Sequence, residues 1–338
     1  MPRKSRSLPA VAVLFLLVTL GATPRAHPQA RYIRVGNPQD AVTSTERGYA
    51  LMGGGSDLDE AFQWLCGKAP GGDFLVVRAA GDDDYNDYIN KLCHANSVAT
   101  LIIPSRDAAG DPKVSEIIRH AEAVFIAGGD QARYMNWWQH SPVQDALNAH
   151  IAAGKPIGGT SAGLAVLGEY VYSAQGDAPD DDGLASGQAL TNPYFSRVTV
   201  RRDFLQIPLL RNTLTDSHFA KRDRMGRTLV FLARIVQDGW SAQPHEIAID
   251  EKSAVLVEGD GHSRVIGAGK GAYFLSVQTP PQTCVEGKPL TFLDVAVYHG
   301  GAGAEFDVKS WKPSAGSSYT LSVVGGEVQS SQSQREIY

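Results

Sequence analysis

Residues 98–129, VATLIIPSRDAAGDPKVSEIIRHAEAVFIAGG, contain a complete strand–helix–strand unit. Residues 98–103 and 123–127 are short, continuous apolar runs, which are typical of strands buried on both faces of a sheet. Residues 114–121, which lie between them, have the apolar spacing of a helix. Parallel strands need such a helical crossover, because a short turn cannot bring the chain back to the same end of the sheet. This stretch therefore predicts an α/β fold with a parallel sheet covered by helices.

The same alternation continues on both sides of this unit. Strands are predicted at 49–52, 74–77 and 156–158, and helices at 58–68, 87–94 and 142–153. After about residue 196 the pattern changes to one long helix at 219–236 and two strands within 245–257, followed by strand-like runs at 291–298, 306–308 and 319–324. We predict one αβα domain over 31–284 and a small β-rich extension over 285–338.

Residues 1–30 have the composition of a secretory signal peptide. Arg3, Lys4 and Arg6 precede an uncharged apolar run at 10–20, and small residues and prolines follow it. The run is well short of the about 20 apolar residues that span a bilayer, so a signal anchor is the weaker alternative. Removal of this segment takes the formal net charge from −5 to −9, because it holds four basic residues and no acidic ones. The predicted location is extracellular or periplasmic.

The overall composition excludes several classes of protein. With 43% hydrophobic and 20% charged residues, the chain can build a large core. A negative net charge and the lack of a basic, aromatic-interleaved tract exclude a nucleic-acid partner. Cys66, Cys93 and Cys284 have no C-x-x-C spacing, which excludes a zinc ribbon and leaves at most one internal disulfide, whose pairing stays open. The acidic loop 176–183 lacks the spacing of a calcium site and is interpreted as solvated, so no metal or other cofactor is predicted.

Residues 159–163, GTSAG, match the G-x-S-x-G pattern of a nucleophile elbow. A predicted strand at 156–158 precedes them and a predicted helix at 164–170 follows, which would expose Ser161 at the carboxyl edge of the sheet, where α/β folds bind ligands. We interpret Ser161 as a nucleophile, with a purely structural turn as the alternative. The amide of Ala162, at the start of that helix, would donate to an oxyanion.

A second amide donor is expected from the turn after the neighbouring strand. Gly129 lies at this position, beside the elbow, and is the best candidate. Asp130 and Gln131 follow it and would point toward the substrate. An ordinary strand-to-helix turn in which Asp130 caps the next helix is an equally good interpretation.

His218 is the best candidate for a base among the nine histidines. It begins a predicted helix that also carries Arg222, Arg224 and Arg227, with Arg222 expected one turn along from the histidine. In an acidic protein, such a concentration of cations next to a base favours the binding of a carboxylate. A solvated helix face is the alternative interpretation.

The acid that would orient the base is not fixed by the residues alone. Glu169, Asp177 and Glu251 all follow the serine along the chain. Glu251 lies at a tight connection between two predicted strands, a position suited to holding an imidazole. The order Ser161, His218, Glu251 differs from the serine–acid–histidine order of α/β-hydrolases, which argues against that fold and not against the chemistry.

Four stretches together resemble the cyanophycinase-like serine peptidases, relatives of bacterial aspartyl dipeptidase. They are AVFIAGGDQ (123–131), PIGGTSAGLAV (156–166), DSHFAKRDRMGRTLVFL (216–232) and IAIDEKSAVLV (247–257). The resemblance implies a flavodoxin-like, class I glutamine amidotransferase-like three-layer αβα sandwich. It also implies a catalytic triad of Ser161, His218 and Glu251.

In the cyanophycinase branch of this family, an HFxxRxRxxR motif and a glutamine line the substrate pocket, and they match Arg222, Arg224, Arg227 and Gln131. The resemblance thus implies a secreted serine exopeptidase that cleaves cyanophycin, a polyaspartate with arginine on each β-carboxyl, into β-aspartyl-arginine dipeptides. An isoaspartyl or aspartyl dipeptidase on the same fold, a secreted esterase and a non-catalytic binding protein are the alternatives. No membrane partner is expected after signal cleavage. The sequence does not determine the oligomeric state and allows a homodimer.

Overall fold

The computed structural model describes residues 29–177, 182–316 and 318–338. The predicted signal peptide therefore lies outside the described residues except for its last two positions, and so does the middle of the acidic loop. No helix in the described ranges is long and apolar enough to cross a membrane.

The described residues form two β-sheets with helices packed against them. The strands are β1 (Arg31–Gly36), β2 (Gly48–Met52), β3 (Asp73–Arg78), β4 (Ser97–Ile102), β5 (Ala123–Ile126), β6 (Ile157–Thr160), β7 (Tyr170–Tyr172), β8 (Val200–Arg202), β9 (Thr213–Asp216), β10 (His245–Ile249), β11 (Ser253–Glu258), β12 (His262–Gly267), β13 (Ala272–Ser276), β14 (Phe292–Gly300), β15 (Glu305–Asp307), β16 (Lys312–Pro313), β17 (Tyr319–Val324) and β18 (Glu327–Ser330). The α-helices are α1 (Asp59–Gly67), α2 (Tyr85–Leu92), α3 (Arg106–Ala109), α4 (Pro112–His120), α5 (Gln131–Trp137), α6 (Pro142–Ala152), α7 (Ala162–Ala165), α8 (Ser186–Thr191) and α9 (Met225–Gln237).

The larger sheet has the strand order β1-β4-β3-β5-β6-β2-β11-β12-β15-β16. Its central strands β4, β3, β5, β6 and β2 are parallel, as the apolar runs predict. Alternate residues of β3 point to opposite faces: Phe74 and Val76 pack with α1 and α2, whereas Leu75 and Val77 pack with α4 and α6. The chain thus has the predicted three-layer αβα arrangement.

A second sheet, with the order β18-β17-β14-β13-β10-β9-β7-β8, was not foreseen from the sequence. One of its faces packs on the larger sheet through Ile247, Ile249 and Phe274, and its other face packs against α8 and α9. Strands from residues 285–338 continue both sheets, because β14 pairs with β13 and β15 pairs with β12. The boundary at residue 284 stays a prediction.

Two predicted helices are wrong in their extent. The helix expected at 164–170 ends at Ala165, because the chain then enters the second sheet, and Gly168 lies so close to β9 that a Cβ there would be 2.6 Å from the Thr213 carbonyl oxygen. The helix expected at 219–236 begins only at Met225. The residues before it form turns, in which His218 and Asp223 both have a φ of 47°, a left-handed conformation that a right-handed helix excludes.

The structure pairs Cys66 with Cys93, which joins the end of α1 to the end of α2, and leaves Cys284 as a buried thiol. The bridge closes a loop of 27 residues. In the chain-entropy description, a loop of this length stabilises the folded state by about 3.5 kcal/mol.

We therefore expect Cys66→Ser to lower the free energy of unfolding by about 3.5 kcal/mol, measured by urea denaturation under oxidising conditions. Cys284→Ala is the matched control, because it removes the free cysteine and leaves the Cys66–Cys93 disulfide in place. Mass spectrometry of the alkylated protein should therefore still find one disulfide in this variant. An unchanged urea midpoint in Cys66→Ser would contradict the pairing.

Candidate active site

Ser161 lies in a sharp turn between β6 and α7, as the elbow pattern predicts. Its φ of 53° and ψ of −116° are strained for a residue with a side chain. Both glycines of the motif are needed for close packing: a Cβ on Gly163 would lie 1.9 Å from the carbonyl oxygen of Ile126, and one on Gly159 would lie 2.6 Å from the backbone of Gly163. The turn therefore holds the serine hydroxyl at the carboxyl end of β6.

Three side chains from separate loops form one hydrogen-bonded chain. Ser161 Oγ lies 2.7 Å from His218 Nε2, and His218 Nδ1 lies 2.7 Å from Glu251 Oε1. Because Nδ1 donates its proton to the carboxylate, the neutral ring keeps Nε2 as an acceptor for the serine hydroxyl. This is the geometry in which a histidine can remove the proton of a serine nucleophile.

The turn after β2, residues 53–55, holds these loops together, and sequence reasoning did not recognise it as part of the site. The carbonyl of Gly53 accepts a hydrogen bond from the amide of His218 at 2.8 Å. Gly54 has a φ of +92°, and a Cβ there would lie 2.6 Å from Nε2 of His218 and 3.1 Å from Cβ of Ser161. The signal that could have revealed this turn is three consecutive glycines at the end of a predicted strand.

Burial sets the protonation state of the base. His218 is 7% exposed, and this burial lowers its pKa below the ordinary value despite the hydrogen bond that it donates to Glu251, which acts in the opposite direction. The positive charges of Arg222 and Arg224 lower the pKa of His218 further. The hydrogen bond from His218 in turn lowers the pKa of Glu251. At neutral pH this arrangement favours a neutral imidazole beside an ionised carboxylate.

The two predicted oxyanion donors come from the serine turn itself and from the turn after the neighbouring strand. Ala162 is the first residue of α7, so its amide has no acceptor within that helix. Gly129 follows β5, the strand next to β6, and a Cβ on the preceding Gly128 would lie 3.4 Å from Cβ of Ser161. The turn after β5 thus abuts the serine, and the assignment of the two amides to an oxyanion hole stays a prediction.

A cavity of about 400 Å³ opens beside Ser161 and His218, and Asp130, Gln131 and the three arginines of the motif line it. Asp130 caps α5, because its carboxylate accepts a hydrogen bond from the amide of Ala132 at 2.8 Å. Gln131 Nε2 donates to the carbonyl of Tyr172 at 3.4 Å. Both residues border the cavity, their contact with a substrate stays a prediction, and Asp130 has the capping contact of the alternative interpretation.

The arginines border the cavity from a turn and a helix, so the prediction that one helix carries all three together with His218 is wrong for Arg222 and Arg224. Arg227 on α9 is fully buried, and its Nε donates to Asp216 at 2.9 Å. Arg224 Nη1 donates to the carbonyl of Ser217 at 2.8 Å and contacts Asp216 at 3.3 Å. Arg222 is the more exposed of the three. Asp216 lies only two residues before His218, yet its role as the partner of these arginines was not predicted from the sequence.

Carboxylates line the same cavity as the arginines. Asp177, at one end of the acidic loop, accepts hydrogen bonds at 2.8 Å from Tyr172 Oη and from Arg197 Nε, and its side chain is 12% exposed. Asp182, at the other end, lies 3.6 Å from Arg222. The interpretation of this loop as solvated is therefore wrong for Asp177.

Residues 56–265 match the family model of peptidase family S51. The chain belongs to peptidase family S51. It is 28% identical over 231 residues to a cyanophycinase from Synechococcus elongatus, with 64% of this chain and 65% of the relative covered. It is 29% identical over 178 residues to a cyanophycinase from Nostoc sp., with 52% of each chain covered. The chain thus spans about half to two thirds of the length of these relatives.

A crystal structure of a peptidase from an acI-B1 actinobacterium is similar to the chain, with a TM-score of 0.48 and 17% sequence identity. The similarity covers 82% of this chain and 98% of that one. The family match confirms the resemblance to the cyanophycinase-like serine peptidases, and with it the predicted class of serine-type peptidases.

The glycine turn gives a direct test of the geometry. We expect Gly54→Ala to displace His218 and to slow the reaction of Ser161 with an alkyl fluorophosphonate by about 100-fold, because small misplacements of catalytic groups cost that much. Gly71→Ala is the matched control, since Gly71 also has a positive φ of +68° but no atom lies within 4 Å of the added Cβ. Equal rates in the two variants would contradict the proposed packing.

The lowered pKa of His218 predicts the acid limb of the same reaction. The imidazole must be neutral to accept the serine proton, so the rate should rise as the pH passes the pKa of His218 and should stay constant above it. Since burial lowers this pKa below 6.5, the midpoint is expected below pH 6.5. In Glu251→Gln the midpoint should fall further, because the carboxylate that raises the pKa is lost. A native midpoint above 6.5 would contradict the burial argument.

Proposed function

We propose that this protein is a secreted serine exopeptidase that hydrolyses cyanophycin and releases β-aspartyl-arginine dipeptides. The observation that carries the proposal is the hydrogen-bonded chain of Ser161, His218 and Glu251, which borders a cavity lined by both arginines and carboxylates. The membership in peptidase family S51 and the similarity to cyanophycinases support it.

The geometry supports an acyl-enzyme mechanism. Ser161 Oγ attacks a backbone carbonyl of the substrate while His218 Nε2 takes the hydroxyl proton. The amides of Gly129 and Ala162 stabilise the oxyanion of the tetrahedral intermediate. His218 then protonates the leaving amine, and a water molecule activated by the same imidazole releases the acyl group. Glu251 holds the ring in its tautomer and stabilises the transient imidazolium.

The mixed charge of the cavity suits a substrate that carries both carboxylates and guanidinium groups. Arg222 makes a long contact of 3.6 Å with the exposed Asp182 and can pair with a substrate carboxylate instead. Arg227 is fully buried, so the more exposed Arg222 is the arginine that a substrate carboxylate can reach. Asp177 and Asp130 supply negative charge for the arginine side groups.

Export from the cytoplasm forms part of the proposal. The charge pattern and apolar run of residues 1–30 favour it. The Cys66–Cys93 disulfide supports it independently, because such bridges persist mainly in oxidising compartments.

The test is the release of dipeptides from purified cyanophycin, followed by mass spectrometry. We expect the native protein to release β-aspartyl-arginine and Ser161→Ala to lose at least about a thousand-fold in rate. Ser314→Ala, at an exposed serine after β16, is the matched control and should keep full activity.

Parallel assays with short Asp-X and β-Asp-X peptides separate the alternatives. Faster cleavage of these peptides than of cyanophycin would favour the dipeptidase. Failure of Ser161 to react with a fluorophosphonate in folded native protein would favour a non-catalytic binding protein.

A further inference from the structure

The helix α9, which carries Arg227, begins without a cap of its own. Arg224 occupies the N-cap position, and its side chain makes no capping hydrogen bond. The amide of Met225 instead donates to Tyr338 Oη at 2.8 Å, and Tyr338 Oη donates to Asp223 Oδ1 at 2.9 Å. The first amide of the helix is thus satisfied by a side chain more than a hundred residues away along the chain.

The turn before this helix, residues 218–224, depends on contacts from outside itself. His218 and Asp223, near its two ends, both have left-handed φ values that are unfavourable for residues with a side chain. The histidine end is held by the carbonyl of Gly53, and the middle by Asp250, whose Oδ1 accepts a hydrogen bond from the amide of Lys221 at 2.8 Å. At the other end, two side chains donate to Asp223: Tyr338 Oη to its carboxylate at 2.9 Å, and Ser186 Oγ to its carbonyl oxygen.

The ring of Tyr338 is itself held in place by aromatic contacts. It packs edge-on against Phe219, with ring centroids 5.8 Å apart, and against Tyr273, at 5.9 Å. Phe219 directly follows His218, and Asp223 lies between Arg222 and Arg224. Tyr338 therefore contacts both ends of the turn, through its ring at Phe219 and through its hydroxyl at Asp223.

We propose that Tyr338 is a positioning residue for Arg222, the exposed arginine of the cavity. Its hydroxyl group holds the carboxylate of Asp223 and thereby places the neighbouring Arg222 at the edge of the cavity. The histidine end is fixed separately through Gly53, and the middle of the turn through Asp250, so the hydroxyl acts on substrate affinity and not on the serine–histidine pair. The role in affinity rests on the proposed function of the site.

Tyr338→Phe tests this, because it keeps the aromatic packing and removes both hydrogen bonds. The expected result is a KM for cyanophycin raised roughly five-fold, which corresponds to the about 1 kcal/mol of stability that a helix cap contributes, with kcat changed less than about two-fold. The rate at which Ser161 reacts with a fluorophosphonate should stay unchanged. Tyr194→Phe is the matched control, since its hydroxyl donates at 3.2 Å to Asp238 at the opposite end of the same helix. It should change none of these values.

A second measurement does not depend on activity. Hydrogen exchange of peptides that cover residues 218–227 should be faster in Tyr338→Phe than in the native protein or in Tyr194→Phe. If the native protein cleaves cyanophycin and both KM and exchange are unchanged in Tyr338→Phe, the inference is wrong. Parallel losses of kcat and of fluorophosphonate reactivity would also overturn it, because they indicate general destabilisation. If the native protein does not cleave cyanophycin, the proposed function fails, and the exchange alone decides the positioning role.

Discussion

The site depends on the close approach of the turns that carry Gly54, Ser161 and His218. These turns lie so close together that no side chain fits at Gly54. The carboxyl ends of β5, β6 and β2 lie side by side in the larger sheet, and those of β9 and β10 lie side by side in the second sheet. The turn after β2 joins the two groups, because the carbonyl of Gly53 accepts the amide of His218 and the carbonyl of Gly54 accepts the amide of Lys252. Ser161 follows β6 of the larger sheet, whereas His218 follows β9 and Glu251 follows β10 of the second sheet. The distances from His218 to Ser161 and to Glu251 are therefore set by this contact between the sheets.

The parts of this arrangement that depend on local sequence could be predicted. Continuous apolar runs indicate buried parallel strands whatever surrounds them, and the glycines at 159 and 163 report the sharp turn around Ser161 directly. The second sheet could not be foreseen, since its strands β7, β8 and β9 are only three or four residues long and lie far apart in the chain. The turn at 218–224 has helical spacing of its residues, yet distant contacts from Gly53, Asp250 and Tyr338 hold it out of a helix.

The arginines near His218 were predicted from the sequence, but the buried carboxylate that neutralises part of their charge was not. Asp216 is fully buried and receives hydrogen bonds from both Arg224 and Arg227. Although burial alone opposes ionisation, the charges of Arg227 and Arg224 lower the pKa of Asp216 and keep it ionised. Such a pair is costly to separate, because removal of one partner leaves an uncompensated buried charge. The arginines nearest the floor of the cavity are therefore fixed groups, whereas Arg222, at its edge, can change partners.

The protonation state of Glu246 affects the net charge of the buried group formed by Asp216, Arg224 and Arg227. Glu246 lies on β10, fully buried, and accepts a hydrogen bond from Thr228 Oγ1 at 2.9 Å. Burial raises its pKa well above the ordinary value, which favours the neutral acid. Of the two buried carboxyl groups, Asp216 is then the ionised one that pairs with the guanidinium groups of Arg224 and Arg227. After burial, the positive charges of Arg222 and Arg224 lower the pKa of His218 further, so the groups that would pair with a substrate carboxylate also keep the base in its neutral, reactive form.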